Sequence, residues 1–227
     1  TFFVFWYHDV IASGEFEALK DAYDLVLVDE FQDTDAEQLA FLRFLRPRQL
    51  VVVGDDYQSI YSFRGSNPKI FLQFGRHFPA VQRFFLTENY RSYKQITDCG
   101  NQIIRHARDR LKKRVVSVRG SRPSLPASAL ALRQGEESAL LPLMSAGVVL
   151  CRSNHRRLSW LRAGLPPEKV LTIHASKGLE FASVFLDLTG GFSALRGVSR
   201  VPDEEVRIAY VGLTRAENFL SILFDPG

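Results

Sequence analysis

The stretch DLVLVDEFQDTD, residues 24–35, contains the pattern on which the predicted fold depends. Residues 25–28 form a short run of Leu and Val, which is typical of a strand buried on both faces of a parallel sheet. Asp29 and Glu30 follow immediately, so two neighbouring carboxylates lie at the carboxyl end of this strand. Open α/β sheets bind their ligands at that edge. The stretch therefore predicts a parallel α/β sheet with an acidic edge.

These carboxylates have two interpretations. In the functional one they serve a Mg²⁺ nucleotide: Asp29 holds the metal, usually through water, and Glu30 orients or deprotonates the attacking water. In the other one they form a solvated strand end before a helix, with Asp33 or Thr34 as the N-cap and Glu37 near the first turn. This stretch alone favours neither interpretation.

The composition is that of a globular α/β protein. The chain has 227 residues, of which 46% are hydrophobic and 24% charged, enough for one large or two small domains. No apolar run approaches the roughly 20 residues of a membrane span, and residues 1–10 lack a basic leader and a cleavage site, so we expect a cytoplasmic protein without a membrane partner. Cys99 and Cys151 lie far apart without metal-ligand spacing, which predicts reduced core thiols.

The net charge of +4 is unevenly distributed along the chain. Residues 1–90 contain 8 Lys and Arg against 13 Asp and Glu, and residues 91–227 contain 21 against 12, so the two parts carry −5 and +9. A basic half suggests a polyanionic partner, although such a bias is more often a solvated surface. The basic tract at residues 105–122 is either a phosphate-binding surface or a solvated helix face and linker.

The pattern after residue 35 repeats the first one. Residues 36–45 have apolar residues at helical spacing, and residues 49–53 form a second buried strand that ends at Gly54. Such a unit is right-handed and parallel, so its two strand ends are expected side by side. Further strands are predicted at residues 146–150, 170–173 and 184–188, and further helices at 15–23, 68–74, 92–108 and 203–210. The first residues lack Met and an N-cap, which predicts that residue 1 is a cut end rather than a natural start.

The stretch VVVGDDYQSIYSFRG, residues 51–65, places a carboxamide close to aromatic side chains. Gln58 can contact a γ-phosphate, and Tyr61, Phe63 and Arg64 follow in one loop. Aromatic rings in such a loop can stack on bases, which contributes about 1 to 3 kcal/mol per base. The alternative is that Tyr61 and Phe63 are core residues of the helix predicted at residues 68–74.

Together, VDEFQDTD and GDDYQSIYSFRG resemble motifs II and III of the UvrD/Rep family of superfamily 1 DNA helicases. Three later segments follow in the family's order. LTENYRS at residues 86–92 is similar to motif IV, VLTIHASKGLEF at 170–181 to motif V, and YVGLTRA at 210–216 to motif VI. The resemblance covers nearly the whole chain.

The resemblance implies a fold and a nucleotide site. It implies two RecA-like α/β lobes of the P-loop NTPase type with parallel sheets, at residues 1–85 and 86–227, the first of them incomplete. The implied cofactors are ATP and Mg²⁺, with Asp29 as the metal ligand and Glu30 as the general base. The other implied contacts are Gln58, Arg91 and Arg215 at the γ-phosphate, Tyr90 on adenine and Glu180 near ribose.

The resemblance also implies a partner and an activity. The activity is ATP-driven 3′ to 5′ translocation and unwinding, and the partner is single-stranded DNA or a junction between single and double strands. A lone Arg or His outside such motifs is usually a surface residue, so these roles depend on the motif context. The residues implied on the DNA path are Tyr61, Phe63, Arg64, Thr172, His174 and Lys177.

Two features of the family have no counterpart in this sequence. One is the GxxxxGK[ST] loop that cradles the β and γ phosphates, since Lys177 lies in a different context. The other is the 2B insertion, because only a short helix and two prolines separate Arg152 from Val170. Smaller departures are Phe63, where the family often has Trp, and Tyr57, where an acid is common.

Two hypotheses follow. The chain is a fragment or truncated form of a helicase, inactive alone because the phosphate loop is missing, and its partner is the missing N-terminal part of the first lobe or another protein. Alternatively, it is a non-catalytic remnant that binds DNA or a protein. A GxxxxGK[ST] loop encoded upstream would favour the first hypothesis.

Overall fold

The computed structural model describes residue 14 and residues 17–121, 127–133, 135–189 and 201–226. The chain forms two compact units. The first contains the chain up to Arg83 together with Asp109–Leu111, and the second contains Phe84–Arg108 and the chain from Lys112 onward. Within the described ranges, no helix is long and apolar enough to cross a lipid bilayer.

The first unit is built on the predicted strand, helix and strand. These are β1 (Leu25–Val28), α1 (Ala36–Leu45) and β2 (Gln49–Val52). The two strands pair in parallel, with Leu25 opposite Gln49 and Val28 opposite Val52. The predicted parallel unit is therefore confirmed, and the carboxyl ends of both strands lie at one edge.

Helix α1 has the predicted bounds, but its N-cap is Asp35. The carboxylate of Asp35 accepts hydrogen bonds from the backbone N–H groups of Glu37 and Gln38, and the Gln38 side chain accepts one from the Asp35 N–H. This is a capping box, which satisfies the first N–H groups of the helix. The prediction of Asp33 or Thr34 as the N-cap is therefore wrong, because only Asp35 lies three positions before a Gln that completes the reciprocal bond.

The prediction that β1 is buried on both faces is also wrong. Val26 and Val28 pack against the hydrophobic cluster that includes α1, whereas Leu25 and Leu27 are 47% and 70% exposed. Alternate residues of a strand point to opposite faces. In the part of the chain that the structure describes, this sheet has two strands and an apolar cluster on one face, so the other face remains open.

The rest of the first unit consists of short helices. The helix predicted at residues 15–23 is a 3₁₀ turn, Glu17–Leu19, in its described part. The helix predicted at residues 68–74 is two helices, α2 (Pro68–Leu72) and α3 (Phe74–His77), which are separated at Gln73. Asn67 caps α2 by accepting a hydrogen bond from the Lys69 N–H, and Pro68 occupies the favoured first position.

The segment Asp109–Leu111 joins the first unit through two side chains that follow β2. The Asp56 carboxylate accepts a hydrogen bond from the Leu111 N–H at 2.8 Å, and the Tyr57 hydroxyl donates one to the Leu111 carbonyl at 2.8 Å. Tyr57 is 1% exposed. The family commonly has an acid at this position. Here the Tyr57 ring is packed in the core, and its hydroxyl is hydrogen-bonded.

In the second unit, a pair of short strands, β3 (Glu88–Asn89) and β4 (Val116–Ser117), is parallel. A larger parallel sheet contains β5 (Ala127–Ala131), β6 (Val148–Cys151), β7 (Val170–Thr172), β8 (Phe181–Asp187) and β9 (Ala216–Phe224). The order of these five strands in the sheet is β5-β9-β8-β6-β7. The helices are α4 (Lys94–Ile103), which continues as a 3₁₀ turn over Ile104–His106, α5 (Glu137–Met144), α6 (Asn154–Ala163) and α7 (Asp203–Leu213).

The core of the second unit lies around β6 and β8. Val149, Leu150, Phe185 and Leu186 are at most 1% exposed, as expected for central strands covered on both faces. Helix α7 approaches this sheet closely at Gly212, where a Cβ atom would lie 2.5 Å from Leu186 Cδ1. A larger residue at this position would require the Leu186 side chain to shift, so the glycine of motif VI also contributes to packing.

A buried charge network lies at the carboxyl end of β8. The guanidinium of Arg156 donates to the Asp187 carboxylate at 2.8 and 3.0 Å and to Glu137 at 2.6 Å. Trp160 Nε1 donates to Asp187 at 2.7 Å. These three charged groups are at most 4% exposed. Because buried charges are tolerated only when paired and hydrogen-bonded, the network fixes α5 and α6 to the sheet.

Both cysteines lie in the second unit. Cys151 is buried and Cys99 is half-buried, and both are free thiols. Burial raises the pKa of both thiols, so they remain protonated at neutral pH and are poor nucleophiles.

Candidate functional site

In the first unit, Asp29 and Glu30 are exposed at the carboxyl end of β1. The Glu30 N–H donates to Asp29 Oδ1 at 2.8 Å. Glu30 has φ 51° and ψ 35°, a left-handed conformation that costs a non-glycine residue about 1 to 2 kcal/mol. The next residue is held by a hydrogen bond from the Phe31 N–H to the Val53 carbonyl at 2.9 Å. Strained conformations of this kind concentrate at functional sites, which makes Glu30 a candidate functional residue.

Gln32 connects this edge to the end of β2. Its side chain is buried, and its Nε2 donates to Glu30 Oε2 at 2.5 Å. Its Oε1 accepts from the Asp55 N–H at 2.9 Å. Sequence reasoning missed this residue, although it lies inside the DEFQD segment and its amide was the available signal.

Gln58 lies in the 3₁₀ turn Asp56–Gln58 and is half-buried. Its Nε2 donates to Asp55 Oδ2 at 2.8 Å. The structure therefore places Glu30 and Gln58, predicted from separate motifs, at the two ends of one hydrogen-bonded series.

A cavity of about 300 Å³ opens beside the carboxylates of Asp29 and Glu30. Its lining includes Asp29, Glu30, Asp33, Thr34 and Gln38. Mg²⁺ takes oxygen ligands and is usually bound through one or two carboxylates plus water and phosphate. The donor set fits that mode. Among the described residues, no group of three or more His, Cys, Asp and Glu side chains forms a complete metal cage.

The aromatic loop after the 3₁₀ turn is exposed. Phe63 is 68% exposed, and its ring centroid lies 6.0 Å from that of Tyr61 in an edge-to-face arrangement. The Arg64 guanidinium carbon lies 4.7 Å from the Tyr61 centroid and 5.5 Å from the Phe63 centroid. Within the first unit, Phe63 is therefore not the core residue that the alternative interpretation required, while Tyr61 is half-buried.

In the second unit, three predicted nucleotide contacts converge. Arg91 Nε donates to Glu180 Oε2 at 2.7 Å, and Arg91 Nη1 donates to the Thr214 carbonyl at 3.3 Å. The hydrogen bond from Arg91 to Glu180, together with the charges of Arg91 and Arg215, holds the pKa of Glu180 below its usual value. Segments that are far apart in sequence therefore form one charged cluster.

Arg215 is buried in this cluster and is 1% exposed. Its guanidinium donates to the carbonyls of Val211 at 3.1 Å and Leu179 at 3.2 Å. The side chain thus joins α7 to the loop before β8 within the second unit.

Tyr90 is 68% exposed beside the cluster. Its hydroxyl donates to Glu88 Oε2 at 2.6 Å, and this hydrogen bond raises the pKa of the phenol. Arg119 supports the same loop by donating to the Arg91 carbonyl at 2.5 Å, with its guanidinium carbon 4.0 Å from the Tyr93 ring centroid. Sequence reasoning missed Glu88 and Arg119, and for Arg119 no local signal distinguishes it from other basic residues.

The predicted DNA contacts of the second unit lie in one loop after β7. Thr172 ends the strand, and its Oγ1 accepts from the Ala175 N–H at 3.2 Å. His174 begins the 3₁₀ turn His174–Ser176, and Lys177 follows it. All three predicted side chains are half-buried.

Comparison with known proteins identifies two domains. Residues 12–79 match the family model of the UvrD/REP helicase N-terminal domain, and residues 166–225 match that of the UvrD-like helicase C-terminal domain. The matched ranges fall in the first and second units respectively.

Individual relatives agree with these domains. The chain is 30% identical to a "Probable DNA helicase" of Mycoplasma pneumoniae over 91% of this chain and 44% of the relative. It is 31% identical to "DNA helicase IV" of Escherichia coli over 88% of this chain and 34% of the relative. The chain thus spans less than half the length of these relatives.

A solved helicase has a similar fold. The structure of Arterivirus nonstructural protein 10 (helicase) superimposes with a TM-score of 0.52 at 19% identity, over 87% of this chain and 38% of that one. This likeness concerns the fold and confirms the predicted class, α/β lobes of the RecA-like type with parallel sheets. Because both UvrD-type domains are matched, over ranges that together exceed half of its residues, the chain belongs to the UvrD/Rep-like family of superfamily 1 helicases.

Proposed function

We propose that this chain is the part of an ATP-dependent DNA helicase that contains motifs II to VI. The whole protein would couple ATP hydrolysis to 3′ to 5′ movement on single-stranded DNA. The observation that carries this proposal is the convergence of Arg91, Glu180 and Arg215 in the second unit. Three motifs that occur far apart in the sequence thereby supply one anionic and two cationic groups to one place.

The first unit would supply the hydrolytic side of the nucleotide site. Asp29 would hold Mg²⁺ through water, and the bound metal would neutralise charge on the β- and γ-phosphate oxygens. Glu30 would orient the attacking water and accept its proton. Gln58 would contact the γ-phosphate, and its tie to Asp55 supports a fixed position for its amide.

The second unit would supply the other nucleotide contacts. Arg91 and Arg215 would stabilise the charge that develops on the transferred phosphoryl group, as arginine fingers do. Tyr90, whose ring is largely exposed, would stack on adenine. Glu180 would accept a hydrogen bond from a ribose hydroxyl.

The DNA path would use stacking in one unit and polar contacts in the other. Phe63 and Tyr61 would stack on bases, with Arg64 beside them, since base stacking needs an exposed ring face. The polar contacts would come from the loop of Thr172, His174 and Lys177. The expected partner is single-stranded DNA or a junction between single and double strands.

The open face of the first sheet supports the proposal that further protein completes this unit. Parallel sheets occur almost only with both faces covered, yet Leu27 and Val53 are 70% and 54% exposed. The polypeptide that covers this face would also provide the phosphate-binding loop.

The test is DNA-stimulated ATP hydrolysis by a protein in which this chain is joined to a phosphate-binding loop. We expect Glu30→Gln to lower turnover by roughly 10² to 10⁴ while ATP still binds, because the amide keeps the shape but cannot accept the proton. Glu168→Gln, an exposed change outside the site, is the control. Unchanged turnover in Glu30→Gln would remove that residue from the role of general base.

A further inference from the structure

We propose that Gln32 is a positioning residue that fixes the Glu30 carboxylate and, through Asp55, links it to the side chain of Gln58. The inference rests on the proposed function, because it concerns the residue assigned as general base and the one assigned to the γ-phosphate. Neither composition nor motif spacing pointed to Gln32. The connection consists of three hydrogen bonds within the first unit, from Glu30 through Gln32 and Asp55 to Gln58.

The chemistry of the link requires a carboxamide at position 32. Its Nε2 donates to the Glu30 carboxylate at 2.5 Å, while its Oε1 accepts from the Asp55 N–H at 2.9 Å. A carboxylate at this position could accept from Asp55 but could not donate to Glu30. An apolar side chain of the same length could do neither.

The surroundings hold the amide in one place. Gln32 is 1% exposed, and its own carbonyl accepts a hydrogen bond from the Ser59 hydroxyl at 3.1 Å. A Cβ atom at Gly54 would lie 2.5 Å from Gln32 Oε1, so the lack of a side chain there is what lets the amide reach the strand end. A buried amide with both of its groups bonded has little freedom to rotate.

The last step of the link is the Asp55 side chain. Its N–H is bound by Gln32, and its carboxylate accepts from Gln58 Nε2 at 2.8 Å. The same carboxylate accepts from the Tyr57 N–H at 3.1 Å, which caps the 3₁₀ turn that carries Gln58. Gln32 bonds to both the Glu30 carboxylate and the Asp55 backbone, and Asp55 bonds to Gln58, so a change of charge at Glu30 reaches the turn through these two residues.

The experiment uses the whole 227-residue chain and records amide nitrogen–proton correlation spectra. Glu30→Gln removes the charge and keeps the shape, and we expect it to shift the Asp55 amide and the Gln58 side-chain amide. In a Gln32→Met background the same change should leave both resonances in place. Glu37→Gln, on α1, is the matched control and should shift neither.

Equal shifts in the two backgrounds would overturn the proposal, because the effect would then travel through space. So would the absence of shifts at Asp55 and Gln58 when Gln32 is intact. Spectra that keep the remaining resonances of the first unit in place show that Gln32→Met is folded.

If Gln32→Met does not fold, Asp55→Ala separates the steps, since this side chain is half-buried. In that background, Glu30→Gln should still shift the backbone amide of residue 55 but no longer the side-chain amide of Gln58. A shift at Gln58 that survives Asp55→Ala would overturn the transmission step.

Addition of MgCl₂ to the unmodified chain tests the proposed function separately. Shifts at Asp29 and Glu30 that spread to Gln58 would support both proposals. Unmoved Asp29 and Glu30 resonances would reject these carboxylates as a metal site in this chain. The connection from Glu30 through Gln32 to Gln58 would still be tested by the response of Gln58 to Glu30→Gln.

Discussion

At the scale of single residues, Glu30, the residue proposed as general base, has a strained backbone. Its left-handed φ of 51° suits glycine, whereas any residue with a Cβ atom is strained there by about 1 to 2 kcal/mol. We therefore expect Glu30→Gly to leave the first unit more stable than Glu30→Ala by roughly 1 kcal/mol. Hydrogen exchange of the β1 and β2 amides measures that difference within this unit.

Glu37 provides the matched control for this comparison. It lies in the first turn of α1, where glycine is less favourable than alanine by about 1 kcal/mol. The order of the two variants should therefore reverse at this position. The same order at both positions would show that backbone strain at Glu30 does not contribute.

The Arg91 and Glu180 pair should respond to acid. Because Arg91 lowers the pKa of Glu180, the stabilisation is complete above the ordinary glutamate pKa and is lost as pH falls through the lowered one. The side chains are 29% and 46% exposed, so its contribution is at most about 1 kcal/mol. The pH titration of the Glu180 carboxyl carbon by NMR checks this.

The control for this titration is Arg91→Gln. Without the guanidinium, the midpoint of Glu180 should move upward toward the ordinary glutamate value. An unchanged midpoint would mean that Arg91 is not the principal cause of the lowered pKa.

Phe63 should affect DNA binding more than stability. We expect Phe63→Ala to weaken binding to a single-stranded oligonucleotide by about 1 to 3 kcal/mol, because one stacked ring is lost. Since the side chain is 68% exposed, the melting temperature should change little. Fluorescence anisotropy and thermal melting of the same variant measure the two effects.

Phe31 is the comparison residue, since it is 1% exposed in the core of the same unit. Phe31→Ala should cost about 3 to 5 kcal/mol of stability. A comparable loss of stability in Phe63→Ala, with binding lost only through unfolding, would reject the stacking role.

At the scale of elements, the two faces of β1 differ in what they contact. Leu27 is 70% exposed on the open face, whereas Leu42 of α1 is 8% exposed in the cluster on the opposite face. We expect Leu27→Ala to destabilise the first unit by less than about 1 kcal/mol, and Leu42→Ala by about 2 to 5 kcal/mol. Hydrogen exchange of the strand amides gives both values.

Leu27→Ala also tests whether the open face of β1 is covered in a longer protein. When the chain is joined to the rest of the first lobe, Leu27→Ala should become as costly as a core truncation. An equally small cost in both proteins would show that nothing packs on this face.

At the scale of the whole molecule, the chain contains the carboxylates proposed as catalytic but no GxxxxGK[ST] loop in its 227 residues. Carboxylates act on a phosphate only when it is held in a productive geometry. We therefore expect the chain alone to hydrolyse ATP at well below about 1 s⁻¹, the lower end of the usual enzyme range, even with single-stranded DNA present. A phosphate-release assay measures this, and binding of DNA by the same sample shows that it is folded.

A turnover of about 1 s⁻¹ or more from the purified chain would contradict this expectation. It would mean that the residues present position the γ-phosphate without that loop.

The sequence by itself determined several elements and the motifs, because both depend on local patterns. The apolar run before Asp29 predicted β1, and the helical spacing after Asp35 predicted α1 with the observed bounds. The resemblance to the helicase motifs implied Arg91 and Glu180 as nucleotide contacts, and the structure brings these two side chains together. These inferences needed only neighbours in the chain.

The tertiary structure decided burial, strand order and the links between motifs. The exposed face of β1 depends on how many layers cover the sheet, which no alternation of Leu and Val reveals. The nine-residue strand β9 was not predicted, because its burial follows its interior place beside β5 and β8 rather than a period of two. Gln32 and Arg119 act on groups that are distant in sequence, and only the packed fold brings those groups within hydrogen-bonding distance.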